Sequence, residues 1–69
     1  MLREHDTVTV KVDVPGDGLR AGDVGAVVHC YVDRDVYEVE VLDEQGHSRG
    51  VVTLRGDQLL RLNLASLVA

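Results

Sequence analysis

The chain has 69 residues, with seven Lys and Arg against twelve Asp and Glu and a formal net charge of -5. That length holds one domain with one core, and it leaves little interior for a pocket of the usual ligand size, about 300–1,000 Å³. The cations stand singly at Arg3, Lys11, Arg20, Arg34, Arg49, Arg55 and Arg61. No stripe forms of the kind that neutralises phosphates, so the balance argues against nucleic acid and anionic membranes and favours a protein partner with a basic surface.

The apolar volume is almost all Val and Leu, with no Phe or Trp and only Tyr31 and Tyr37 as aromatics. A chain rich in β-branched residues prefers strands. Residues 7–12 alternate strictly, which predicts a strand with Val8, Val10 and Val12 inward and Thr7, Thr9 and Lys11 outward. Residues 13–22 hold Pro15 and three glycines and read as a turn-rich loop, with Val14 and Leu19 available to fold back as apolar pins. Residues 23–31 form a second strand whose nearly continuous apolar run suggests burial on both faces or a bend, and Gly25 is the expected site of a bulge.

Asp33-Arg34-Asp35 predicts a hairpin turn, and residues 36–42 a third strand with Tyr37, Val39 and Val41 inward and Glu38 and Glu40 outward. A turn at residues 43–47 leads into a fourth strand at 48–54. Residues 55–58 suit one helical turn, and residues 59–62 a short closing strand. Five short strands joined mostly by hairpins, with one long first loop, predict an all-β fold: a small five-stranded, SH3-like, partly open barrel. The whole chain, 1–69, reads as one such domain, with its core at about 6–62 and an uncharged, mostly apolar tail at 63–69.

A single cysteine, Cys30, forbids an internal disulfide and fits a reducing cytoplasm. The first residues carry no apolar segment of the secretory kind, and no apolar stretch is long enough to span a bilayer.

The segment from Leu19 to Val28, with its Gly22-Asp23-Val24-Gly25 and Val27-Val28, resembles the opening of many SH3-like barrels, including the KOW-type modules of ribosomal and transcription factors. The likeness extends further to one bacterial family, domain of unknown function 4926. It is carried by Gly18-Leu19, Gly22-Asp23-Val24-Gly25, Val27-Val28, Tyr31, Tyr37-Glu38-Val39-Glu40 and Val52-Thr53-Leu54, and runs from about Asp6 to Leu62. The resemblance implies an SH3-like fold. It supplies no activity and no catalytic residues.

The chemistry-bearing residues mostly have plainer readings. His29 and Cys30 are adjacent on one strand, so they point to opposite faces and cannot grip one metal ion; a zinc site wants four ligands, and His5 and His47 lie in a terminus and a turn. No motif places Cys30, Ser48 or Ser66 beside a base and an orienting group. Glu38 and Glu40 are spaced about 6.5–7 Å apart, a separation glycosidases use, but they sit on an exposed strand without an aromatic sugar platform. The glycines at 16, 18, 22 and 25 precede a strand rather than a helix, so they make turns and not a phosphate loop. No cofactor or metal is expected, and no catalysis.

Two features remain as docking candidates. Glu38, Glu40, Asp43 and Glu44 form an acidic cluster suited to a basic partner. Leu64, Leu67 and Val68 follow the spacing of one helical turn, and they could cover an open end of the barrel, meet a partner or join a second copy as a homodimer. The sequence therefore reads as a non-enzymatic, acidic, cytoplasmic protein-binding module, accessory, antitoxin-like or immunity-type in kind. The alternatives are a KOW-like nucleic-acid-binding barrel, for which the aromatic stacking platforms are nearly lacking, and a small non-catalytic subunit of an enzyme complex.

Overall fold

The computed structural model describes residues 2–63. Strands β1 (Thr7–Val10), β2 (Val24–Tyr31), β3 (Val36–Leu42), β4 (Ser48–Arg55) and β5 (Leu59–Arg61) form one antiparallel sheet in the order β4-β3-β2-β1-β5. The last strand returns to pair with the first, but β4 and β5 do not join, so the sheet is a small, partly open barrel. Val8, Val10, Leu19, Val27, Tyr37, Val39, Val41, Leu54 and Leu59 fill its interior. The strict alternation of β3 is realised in full, with Tyr37, Val39 and Val41 all buried.

The first strand ends at Val10, where the chain bends at Lys11 and Val12 beyond the last β1–β2 pair, Thr9↔Val24, and Val12 is left 47% exposed. Of the two readings of the second strand, burial on both faces or a bend, the structure has the bend: Gly25 and Val27 are covered on the inner face, while Val28 and His29 are exposed. Its bulge lies not at Gly25 but at Val28, where the register steps from Val27↔Val39 to His29↔Glu38. An extra residue of this kind shifts the inward phase by one. Val27 and the half-buried Cys30 therefore both face the core, Val28 is pushed outward, and His29 and Tyr31 share the outer face.

Gly25 has a different task. It sits in the centre strand of three, opposite Val8 on β1 and Val41 on β3. A Cβ there would lie 2.5 Å from the Glu40 carbonyl oxygen and 2.7 Å from a Val39 methyl. The residue is glycine for want of space.

The connections are tied by side chains. Val14 and Leu19 bridge as expected, which drives Leu19 into the core and closes the first loop on itself. The Asp43 carboxylate accepts the N–H groups of Gln45 at 2.9 Å and His47 at 2.8 Å, and Gly46, at φ 83°, takes the left-handed position that the turn needs. After β4 a three-residue 3₁₀ turn, Gly56–Gln58, reverses the chain, shorter than the four residues expected, and β5 stops at Arg61 rather than Leu62.

Candidate partner-binding face

The outer surface of β2, β3 and β4 is built in rows set by the register. His29, Glu38 and Thr53 form one row; Ala26, Glu40 and Val51 the next; Tyr31, Val36 and Arg55 a third. Strand pleating alone puts Glu38 and Glu40 there, at alternate positions of β3. The bulge at Val28 brings His29 and Tyr31 to join them.

Glu38 is held from both sides. The Thr53 hydroxyl donates to Oε1 at 2.5 Å and the Tyr31 hydroxyl to Oε2 at 2.8 Å. These two donors, Thr53 first, keep the Glu38 carboxyl below its ordinary titration range, and the same bond raises the Tyr31 phenol above its own. The Tyr31 ring is fixed in turn by an edge contact with His29, centroids 4.8 Å apart at 84°, and by the Arg34 guanidinium 6.0 Å from its centre. His29 Nδ1 lies 4.0 Å from Glu4 Oε1. The result is a carboxylate held by two donors on the outer face.

Glu40 is left free: among the described residues it enters no ion pair and no side-chain hydrogen bond, and it stands between Ala26 and the exposed Val51. Asp43 is spent on its turn, while Glu44 is exposed at the tip. The structure thus splits the four expected acidic residues. Glu38 and Glu40 share a face, whereas Asp43 and Glu44 line a separate open cleft of about 400 Å³ with Asp23, Leu42, Gln45 and Arg49. Leu64, Leu67 and Val68 fall outside the described residues.

That cleft is fastened by Arg49. A second register step makes Arg49 the extra residue of β4, between the pairs Val41↔Gly50 and Leu42↔Ser48. Its guanidinium reaches Asp23 at 3.4 Å and the Gly18 carbonyl at 3.2 Å, pinning the first loop to β4. The Arg20 N–H, at 2.9 Å, is the main reason that the Asp23 carboxyl titrates below its usual range, with Arg49 adding to it. Asp23 therefore serves the loop. His29 and Cys30 diverge as strand geometry requires: His29 lies on the outer face, and Cys30 Sγ, on the inner one, faces the Leu2 carbonyl at 3.7 Å.

Over residues 4–61 the chain matches the family described as Domain of unknown function (DUF4926). The chain belongs to that family. The match covers the sheet from just before β1 to the end of β5, and so includes both the outer face and the cleft. No curated protein and no solved structure matches the chain.

Tyr31, His29 and Thr53 were not singled out from the sequence as members of the site. Thr53 was recoverable, because a fourth strand in hairpin register with the third sets it opposite Glu38. The orientation of His29 and Tyr31 was not, since either of the adjacent Val27 and Val28 could take the inward place.

Proposed function

We propose that the protein is a small non-enzymatic binding module whose β2–β3–β4 outer face docks on a basic surface of another protein, in the manner of an accessory, antitoxin-like or immunity-type partner in the cytoplasm. The observation that supports this reading is the state of the carboxylates on that face. Glu38 is preset in one rotamer by Thr53 and Tyr31, and Glu40 projects beside Ala26 and Val51. Neither lies within ion-pair distance of a Lys or Arg among the described residues, whereas Arg49, Arg55 and Arg61 already face Asp23, Asp57 and Asp6. A fixed carboxylate loses little side-chain entropy on meeting a cation. The half-exposed Val51 and the Tyr31 ring supply the apolar and aromatic anchors that interfaces favour.

The experiment is co-purification of the tagged chain from its own host at low and high salt, compared with the variant carrying Glu38→Lys and Glu40→Lys. A basic partner recovered at low salt and lost with the double reversal is the expected result. The reversal acts mainly on association rate, which falls about tenfold or more for steered complexes. A partner retained equally by the folded double variant refutes this docking face.

A further inference from the structure

The docking reading leaves open how a partner would grip a flat β surface, and the backbone of β4 supplies an answer. β4 is one end of the sheet order, and among the described residues it pairs with β3 only. The direction of its backbone groups follows from its last residue. Arg55 is opposite Val36, yet its N–H donates at 2.8 Å to Gln58 Oε1, outside the sheet. One residue on, the Gly56 N–H turns inward and donates to the Asp35 carbonyl at 2.8 Å. In an antiparallel ladder these directions alternate. Leu54 and Val52 are therefore bonded to β3, while Thr53 and Val51 send both N–H and C=O to the open edge. At the Arg55 end the edge is closed by the Gln58 cap; at Thr53 and Val51 no such cap exists among the described residues.

The side chains along this edge have two characters. On the inner side Leu54 is buried and Val52 packs half-buried against the core, so the core is incomplete beyond Val52. On the outer side Val51 and Thr53 stand in front of Glu40 and Glu38. A strand added to β4 would lie two spacings from β3, about 10 Å. A Lys or Arg side chain and a glutamate together close that gap.

We propose that the β4 edge accepts an extended segment of the partner, added as a further antiparallel strand, with apolar residues toward Val52 and Lys or Arg toward Glu38 and Glu40. This rests on the docking reading and gives it a partner chemistry: a basic, alternating β-segment. A second copy of the chain is the poorer occupant. Each copy carries a formal charge of -5, and pairing β4 with β4 would bring the two Glu38–Glu40 rows onto one continuous face.

The test uses the full chain and an end-blocked heptapeptide alternating valine with lysine, followed by amide NMR at low salt. The control peptide is identical but N-methylated at alternate residues on the edge-bonding side, which removes the hydrogen bonds and keeps charge and side chains. Binding is expected to slow solvent exchange of the Val51 and Thr53 amides, with the methylated peptide about tenfold weaker or worse, the effect of losing a few backbone hydrogen bonds. Equal binding of the two peptides overturns the strand addition. If that equal binding is lost with Glu38→Lys and Glu40→Lys, electrostatic docking on the face stands without it. Protection of the same two amides by raising protein concentration alone overturns the proposed occupant in favour of a second copy.

Discussion

Replacing Gly25 by alanine tests the packing logic at the centre of the sheet. The new methyl would enter 2.5 Å from the Glu40 carbonyl oxygen and 2.7 Å from a Val39 methyl. Real Cβ contacts do not approach so closely, and the obstacle on one side is backbone in the neighbouring strand. Val39, on the other side, is itself 1% exposed and has no free volume to move into. β2 and β3 must separate, or the edge of the core must shift. Overpacking of this kind costs about 1–3 kcal/mol. The opposing gain from restricting the unfolded chain is smaller, about 0.4–1 kcal/mol. In a domain this small, total stability is on the order of 3–5 kcal/mol, so a net loss of about 1.3 kcal/mol removes roughly a third. The urea midpoint should fall by about 1 M and the melting temperature by about 5–10 °C. Gly16→Ala is the matched control, because nothing lies within 4 Å of a Cβ at that position and its φ is not positive. Chemical denaturation followed by tyrosine fluorescence reads both variants. If Gly25→Ala unfolds within about 0.5 kcal/mol of Gly16→Ala, the close approach is not what makes residue 25 a glycine.

Two further outcomes are expected. The Tyr37 hydroxyl, on a fully buried ring, donates to Asp35 Oδ1 at 2.5 Å, and this bond raises its titration above the ordinary phenol. Its contribution is fully present below the unfolded value of 10.0 and fades as pH rises through the higher folded value. Tyr37→Phe should therefore cost about 1.5 kcal/mol at neutral pH and flatten the alkaline limb of a stability-against-pH curve; an unchanged limb contradicts the assignment. On the outer face, Thr53→Val removes the stronger donor to Glu38, so its carboxyl should titrate closer to the ordinary range when followed by carbon NMR. Because the folded value lies below the unfolded one in the parent, Glu38 stabilises above the unfolded value and loses that contribution as pH falls through the folded one. A Glu38 titration unaltered by Thr53→Val would mean that the Tyr31 hydroxyl alone sets it.

Much of this protein was legible in its residues. The alternation in Tyr37-Glu38-Val39-Glu40-Val41 set the span and both faces of β3, because period two on a half-buried strand admits one solution once the apolar face is known. The turn at residues 43–47 followed from Asp43 and Gly46, which carry their conformational preferences locally. Val14 and Leu19 were readable as pins because they are the apolar pair in an otherwise polar loop. Family membership, too, rests on motifs within one chain.

What the residues could not fix were the places where two strands must agree. The bulge at Val28 depends on how β2 lies against β3, and the adjacent Val27 and Val28 suit the inward place equally. Tertiary packing alone decided that Val27 and Cys30 turn inward, and hence that His29 and Tyr31 meet Glu38. The same holds for Val12, which alternates correctly but has no partner strand to bury it, and for Arg49, which a register step aims at Asp23 across 26 residues of chain. Local preference determines the direction a side chain takes from its own strand; only the packed sheet determines what stands opposite it.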